Sequence, residues 1–184
     1  KVLNEYLKQD SAALSFKKYN RKDFESLQHL TKWYQVALME LITCDKYQSD
    51  ERIMAQKLKI SLTELRASLF TLVNSGLIEK VNGKWQKKTL HQDFPTDTTH
   101  EATRQYHRTM TGKALEVLSE SQPAEVCRRR MIGATVAVNP QHLEQAISAY
   151  NEFIYKMTAL LTEGECSEVY QINLQLFPLT RSES

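Results

Sequence analysis

The chain has 184 residues, of which 41% are apolar and 25% charged, and its 5 Gly and 4 Pro are few for this length. This composition excludes collagen-like, low-complexity and largely disordered chains. The net charge of +2 is far below that of a dedicated nucleic-acid-binding protein. No apolar run approaches the ~20 residues that cross a bilayer, so we expect a cytoplasmic protein with no membrane partner.

The charge is divided unevenly along the chain. Residues 139–184 hold six Glu against one Lys and one Arg, which gives −4 there and leaves +6 on residues 1–138. This tilt is compatible with an anionic partner that contacts the first three quarters of the chain. Because the chain begins with Lys1 rather than Met, we expect it to be a fragment of a longer protein.

The first elements are predicted to be helical. Residues 1–21 have the pattern of a helix end followed by a linker. From Asp23 apolar residues recur at steps of three and four, which predicts a helix over residues 23–44. Ser49 is predicted to cap a second helix that ends near Leu58, and Lys59 and Ile60 then form a short turn.

A third helix is predicted from a capping box. Ser61 and Glu64 have the spacing at which a hydroxyl and a carboxylate each satisfy one free backbone donor, and Gly76 can adopt the left-handed conformation that ends a helix. The inward-facing residues of the second and third helices are predicted to be Ile53, Met54, Leu58, Leu62, Leu65, Leu69, Leu72 and Val73.

A hairpin is predicted directly after these helices. A strand begins at Leu77 and Ile78, Asn82 and Gly83 form the favoured two-residue turn, and the chain returns through Trp85. Three helices followed by a hairpin are typical of a winged helix-turn-helix, which we assign to residues 22–90. Residues 91–99 lack periodicity and mark the predicted domain boundary.

The second half is predicted to be a helix-strand-helix-strand module over residues 99–180, so that the whole chain is α+β. Its first helix begins after Thr98 or Thr99, runs to about Ser119, and is closed off by Pro123. The first strand is Met131 to Val138. Asn139 and Pro140 then cap a helix that runs to about Leu161, and the second strand runs from Glu168 to Leu179. Two strands are not a stable sheet alone, so we expect an association module and a homodimer.

Catalytic and cofactor motifs are not apparent. The sequence has no phosphate loop, Gly-x-Ser-x-Gly or His-Glu-x-x-His motif, so we expect no enzyme activity and no cofactor. His100 and His107 share a helix face but lack further ligands at helical spacing, so we expect no metal. Cys127 stands beside three basic residues, 128–130, which indicate either a solvated strand edge or an anion site.

Candidate DNA contacts lie in the predicted winged unit. A basic hairpin suits phosphate contact, and the preceding helix would enter the major groove. The candidates are Arg66, Asn74, Lys80, Lys84, Lys87 and Lys88. Phe70 is an exposed aromatic on that helix and fits a protein interface better, so a DNA-reading and a purely architectural winged helix both remain open.

Candidate interface or ligand residues are also found in the second half. The last predicted strand alternates apolar residues with Gln171, Asn173 and Gln175. These amides are expected to line a pocket, a subunit interface or a solvated surface. Tyr106 and His107, at the start of the preceding long helix, belong to the same candidate set.

A family resemblance is carried by two segments. Tyr106-His107-Arg108 and the ending Val169-Tyr-Gln-Ile-Asn-Leu-Gln-Leu-Phe-Pro-Leu179 resemble an uncharacterised bacterial family of proposed transcriptional regulators. Members of that family have an amino-terminal helix-turn-helix of the phage-repressor type. The resemblance implies that this chain is the carboxy-terminal regulatory portion of such a protein, with the first helix-turn-helix absent. It implies no catalytic residue and no ligand.

Two functional hypotheses follow. In the first, the chain is the regulatory and dimerising portion of a DNA-binding transcriptional regulator, which contacts DNA itself or through the missing amino-terminal domain. Dimer geometry would then set the spacing of two DNA-reading elements. In the alternative, the chain is a protein-protein interaction adaptor in which an architectural winged helix uses Phe70. The sequence identifies no small-molecule effector.

Overall fold

The structure is a computed structural model that describes Leu30, residues 32–88 and residues 101–180. The predicted helix end and linker at 1–21, the predicted boundary at 91–99, the caps Thr98 and Thr99, and His100 lie outside these residues. The same holds for residues 23–29 of the first predicted helix.

The described chain has two parts in sequence order. The first part contains α1 (Trp33–Leu41), α2 (Glu51–Leu58), α3 (Leu62–Asn74) and the hairpin β1 (Ile78–Val81) and β2 (Lys84–Lys87). The second contains α4 (Glu101–Ser119), the single turn α5 (Pro123–Val126), and a 3₁₀ turn (Pro140–His142) that leads into α6 (Leu143–Leu161). The fold is α+β and mostly helical, with one two-stranded antiparallel sheet among the described residues.

The core of the first part lies where its three helices and β1 meet. The largest fully buried side chains are Leu38, Met39, Ile42, Met54, Leu65, Leu72 and Ile78. Each such side chain contributes about 1.5–3 kcal/mol when it leaves water. The three helices have 9, 8 and 13 residues, and isolated helices of this length are marginal in water. Their mutual burial therefore holds them in place.

The helix predicted over residues 23–44 is not continuous. Leu30 is described and is not helical, and α1 begins at Trp33. The backbone N–H of Lys32 donates to Oε1 of Gln35 at 2.9 Å, which satisfies a free donor at this helix start. The helix ends at Leu41, and turns occupy residues 42–49.

The cap of α2 differs from the predicted one. Asp50, and not Ser49, accepts the backbone N–H groups of Arg52 and Ile53 at 2.9 and 3.0 Å. Ile53, predicted to face inward, is 37% exposed, while Met54 and Leu58 are buried as predicted. At the other end, Lys59 takes the left-handed conformation with φ 53°, as the predicted short turn requires.

The capping box of α3 is confirmed. Glu64 N–H donates to Oγ of Ser61 at 3.1 Å, and Ser61 N–H donates to Oε2 of Glu64 at 2.8 Å. Leu65, Leu69 and Leu72 are buried, Leu62 is partly buried, and Val73, which was predicted to face inward, is 41% exposed. Gly76 follows the helix with φ 69°, the backbone conformation in which a side chain is strained.

The hairpin is also confirmed. β1 and β2 pair antiparallel in a register that sets Ile78 opposite Lys87 and Val81 opposite Lys84. Asn82 and Gly83 have φ of 51° and 80°, the two positive values that a type I′ turn needs. The hairpin is thus fixed by a local signal in the sequence.

The second half lacks the predicted strands. Residues 131–138 and 165–178 lie outside every assigned helix and strand. Pro123, predicted to close off α4, starts the turn α5 after α4 has already ended at Ser119. Asn139 does cap the next helix: its Oδ1 accepts Gln141 N–H at 3.1 Å. Within the described ranges, every helix is too short or too polar to cross a bilayer.

We expect Asp50→Ala to lower the free energy of unfolding by about 1 kcal/mol, because two backbone donors at the start of α2 lose their acceptor. Ser49→Ala is the matched control and should change it by less than about 0.5 kcal/mol, since the structure gives the Ser49 side chain no hydrogen bond. Urea unfolding followed by circular dichroism measures both. Equal losses for the two variants would contradict the cap seen here.

The Ser61 hydroxyl and the backbone N–H of Ser61 hold the pKa of Glu64 below its usual range. Because the folded-state pKa is depressed, this contact supports the fold above the unfolded pKa of about 4.3 and is lost as the pH falls through the folded value. We expect Ser61→Ala to raise the pKa of Glu64 only in part, since the backbone donor remains. Carboxyl NMR titration measures the shift, and an unchanged pKa would contradict it.

Candidate functional site

One loop attaches both the hairpin and the carboxy-terminal segment to the helical core. Trp85 in β2 donates its backbone N–H to the carbonyl of Gln48 at 3.0 Å. The neighbouring Tyr47 is buried and donates its hydroxyl to the carbonyl of Ser167 at 3.1 Å. Cys166 and Val169 pack against the same core from the carboxy-terminal side. Tyr47 is therefore one point at which the two parts of the described chain meet, and the contact of α1 with α4 is another.

The candidate DNA contacts Arg66 and Lys80 are both near an acidic residue. Nε of Arg66 lies 2.9 Å from Oε2 of Glu51, and Nζ of Lys80 lies 3.9 Å from Oε1 of the same carboxylate. The Lys80 ammonium also lies 4.7 Å from the centre of the Trp85 ring. Glu51 thus joins α2 to α3 and to the hairpin.

The Lys87 side chain is enclosed by the fold and forms an ion pair within it. Its ammonium pairs with Oε1 of Glu40 in α1, and only 6% of its side chain is exposed. A lysine held in this way is not presented to a phosphate outside the molecule. Lys88 lies on the surface, 3.5 Å from Glu79 of β1.

Two candidates remain on the open surface. Asn74 and Lys84 are exposed, and the structure gives neither side chain a hydrogen bond or ion pair. The surrounding unit is basic, because residues 32–88 contain ten lysines and arginines against six acidic residues, a net charge of +4. Residues 101–180 contain seven against nine, a net charge of −2. The basic excess of the described chain is therefore confined to the helix-and-hairpin unit.

Phe70 is the most exposed large apolar residue of this unit, with 68% of its surface free. Val73, one turn further along α3, is also exposed, and the two residues lie on one side of the helix because residues three apart are neighbours. The exposed side of α3 therefore offers an apolar spot next to the polar Asn74.

The three amides predicted to line a pocket, a subunit interface or a solvated surface are exposed and make hydrogen bonds to α4. Nδ2 of Asn173 donates to the carbonyl of Met110 at 3.2 Å, and Nε2 of Gln175 donates to Oγ1 of Thr111 at 3.0 Å. The hydroxyl of Tyr106 donates to Oε1 of Gln171 at 3.3 Å. The amide face of residues 171–175 is thus a seam with α4 at the surface, and its sequence gave no signal for Met110 or Thr111 as partners.

Tyr106 and His107 lie at this seam. Burial raises the pKa of Tyr106, and its ring meets the His107 ring edge-on at 5.3 Å. Nε2 of His107 is buried and has no hydrogen-bond partner among the described residues. The structure brings Tyr106 and His107 of α4 together with Gln171.

An open apolar groove of about 680 Å³ lies on the other side of the carboxy-terminal segment. It was not predicted from the sequence, although the apolar stripe of α6 was a signal for it. The groove is lined by Val136, Ala137, Val138, Asn139, His142, Leu143, Ala146, Ala149, Tyr150, Phe153, Leu174 and Leu176.

The three arginines at 128–130 do not converge on one anion. Arg128 lies 2.7 Å from Oε2 of Glu168, and hydrogen bonds to Tyr170 and Glu168 raise the pKa of its guanidinium. Arg129 donates to the carbonyl of Val117, whereas Arg130 has no ion pair among the described residues. Arg128 therefore links the residues before 131–138 to Glu168, and Arg129 links them to α4.

Metal-ligating side chains do not cluster within the described ranges. No group of three or more His, Cys, Asp or Glu side chains is placed to hold a metal ion there. The three cysteines are free: Cys44 is buried, which raises the pKa of its thiol, and Cys127 is exposed with its Sγ 3.2 Å from the carbonyl of Ala124.

Comparison with known proteins gives one finding. A family model described as Domain of unknown function (DUF4423) matches residues 12–179. No curated protein and no solved structure matches the chain. The match spans both parts of the described chain and assigns no activity to either.

We expect Lys87→Ala to lower the free energy of unfolding by about 1–3 kcal/mol, the cost of leaving a partly buried charged partner unsatisfied. Lys84→Ala is the matched control, because the Lys84 side chain makes no contact, and it should change stability by less than about 0.5 kcal/mol. Thermal and urea unfolding compare the two. A stable Lys87→Ala variant would show that the pair with Glu40 does not hold the hairpin.

Proposed function

The chain belongs to the DUF4423 family, and from this premise we propose that it is the regulatory and dimerising part of a DNA-binding transcriptional regulator. In this proposal residues 32–88 are a winged helix-turn-helix that contacts DNA, and residues 101–180 pair two copies of the chain. The supporting observation is the hydrogen bond from Trp85 to the carbonyl of Gln48, which ties the hairpin to the loop between the first two helices, as a wing is tied to its helical unit.

The charge distribution supports the same assignment. The net charge of +4 on residues 32–88 attracts a polyanion, and phosphate contacts supply most of the non-specific affinity for DNA. Lys84 at the tip of the hairpin is free for such a contact. Asn74, near the end of α3, has the amide that pairs with adenine in a major groove.

Arg66 remains a second candidate for base or phosphate contact despite its partner. The pair with Glu51 is on the surface, where 65% of the Arg66 side chain is exposed, and exposed pairs of this kind contribute only about 0–1 kcal/mol. A phosphate can therefore replace Glu51 at little cost. Lys87 is not part of the proposed contact surface, because its ammonium is enclosed beside Glu40.

The alternative function is a protein-interaction adaptor. The observation that favours it is the exposed apolar pair Phe70 and Val73 on α3, since aromatic residues in apolar surroundings are typical of protein interfaces. In this function the basic hairpin would be only a solvated surface.

We expect the protein to bind duplex DNA of mixed sequence at low salt, with log K falling linearly against log salt. Lys84→Glu should weaken this binding and lower the slope by about 1, because one phosphate contact is lost. Lys156→Glu on α6 makes the same charge change outside the basic unit and should leave the slope unchanged. Fluorescence anisotropy at several salt concentrations measures both.

Phe70→Ala separates the two functions in the same assay. It should leave DNA affinity within about twofold if α3 contacts DNA through its polar residues. Absence of DNA binding at 50 mM salt, with no difference between the Lys84 and Lys156 variants, would contradict the proposed regulator and leave the adaptor as the better account.

A further inference from the structure

Two segments of the second half that the sequence predicts as strands have no backbone partner among the described residues. Residues 130–138 and 163–180 make no backbone-to-backbone hydrogen bond to any part of the described chain. Their side chains contact α4, α6 and the core, but their N–H and C=O groups form no ladder. A row of such groups along an extended chain is a template for another strand.

The two segments run in the same direction beside one another. At their beginnings Arg128 is 2.7 Å from Glu168. Further along, residues 136–138 of the first segment and Leu174 and Leu176 of the second line the same groove together with α6. This is the order of a strand-helix-strand crossover. Paired strands would be about 4.8 Å apart and hydrogen-bonded, whereas these two are separated by the groove.

The two segments and α6 expose many large apolar residues. Fourteen are more than a third exposed: Met131, Ile132, Val136, Val138, Leu143, Ile147, Phe153, Leu160, Leu161, Tyr170, Leu174, Leu176, Phe177 and Leu179. Six of them, Val136, Val138, Leu143, Phe153, Leu174 and Leu176, line the groove. At roughly 150–250 Å² for an aromatic side chain and less for an aliphatic one, the fourteen leave on the order of 1,000 Å² open along the three elements. A standard interface takes about 800 Å² from each partner, so these elements have enough apolar surface for a stable dimer.

We propose that a second copy of this chain fills the groove, with residues 131–138 of each copy lying between the two extended segments of the other. This inference rests on the proposed function for the idea that two copies pair, and it specifies where and how. The result is a four-stranded intermolecular sheet. From one edge to the other, the strands of this sheet are residues 168–177, the partner's residues 131–138, residues 131–138, and the partner's residues 168–177. Each strand is antiparallel to its neighbours.

The first segment is assigned to the centre of this sheet for two reasons. Residues 131–138, Met-Ile-Gly-Ala-Thr-Val-Ala-Val, carry no charge and are almost continuously apolar, as strands buried on both sides are. The second segment is held at α4 by Asn173 and Gln175, and Pro178 lies at its end, which suits an edge strand. Residues 131–138 are therefore the segment that each copy inserts into the groove of the other.

A small apolar ligand is a poorer occupant of the groove. It would cover side chains of α6 and of Leu174 and Leu176 but would leave the backbone groups of both segments unpaired. A strand satisfies those groups and covers the same side chains. Ile132, which is 90% exposed in the single chain, would also be buried only by a second copy.

Ile132→Asp tests the position of the interface. The side chain is free in the single chain, so we expect the fold to be kept, as judged by circular dichroism and melting temperature. The dimer should dissociate at least tenfold more readily, because a carboxylate would be buried between strands. Sedimentation equilibrium from 1 to 100 µM measures this. Phe70→Asp is the matched control, an equally exposed apolar site outside the groove, and should leave the dimer unchanged.

Cysteine cross-linking tests the strand order without relying on stability. In the Cys127→Ser background, where Cys44 is buried and Cys166 packs against the core, Ala134→Cys or Thr135→Cys adds one thiol beside the symmetry axis of the central antiparallel pair. Oxidised glutathione should then link two chains by a disulfide. Ser121→Cys, exposed and outside the sheet, should not be linked.

The possible outcomes separate this inference from the proposed function. A protein that stays monomeric at 100 µM, a dimer that is dissociated by Phe70→Asp but not by Ile132→Asp, or a monomer that retains an apolar compound in native mass spectrometry would overturn the interlocked sheet. A dimer with the expected cross-link that does not bind DNA would overturn the proposed regulator and leave the interlocked sheet standing.

Discussion

Burial of Leu38, Met54 and Leu65 among three short helices is the interaction on which the rest of the structure depends. None of these helices is long enough to persist alone, and the hairpin, which would be marginal as an isolated pair of strands, packs on them through Ile78. The second half attaches to the same core through Cys166 and Val169. Loss of the core would therefore release both candidate surfaces at once.

Local signals predicted the first half well. The capping box at Ser61 and the Asn82-Gly83 turn were read correctly because each depends on residues three or fewer positions apart. The helix predicted over residues 23–44 is interrupted at Leu30, and the predicted cap of α2 was wrong, because periodicity does not identify the residues at which a helix begins and ends, and Asp50 competes with its neighbour Ser49 for the same role. The exposure of Ile53 depends on how α2 packs, which the periodicity of the helix alone does not determine.

Contacts between distant parts of the chain could not be predicted in the same way. The alternation in residues 170–176 predicted a strand, which the structure does not assign, and the contact of its amide face with α4 depends on residues more than sixty positions away. The hairpin lysines were recognised as a basic set, whereas the enclosure of Lys87 by Glu40 depends on how α1 packs. Backbone pairing of the extended segments is also non-local, and the sequence alone predicted strands where the single chain provides no ladder.

The adjacent anchors at Tyr47 and Gln48 have a mechanical consequence. Tyr47 holds the carboxy-terminal segment through Ser167, and Gln48 holds the hairpin through Trp85, so a pull on the segment is transmitted to the hairpin within two residues. A displacement of the carboxy-terminal segment at Ser167 would therefore act next to the residue that holds the hairpin. Communication between the two halves of the chain can therefore be short-range and needs no rearrangement of the helices.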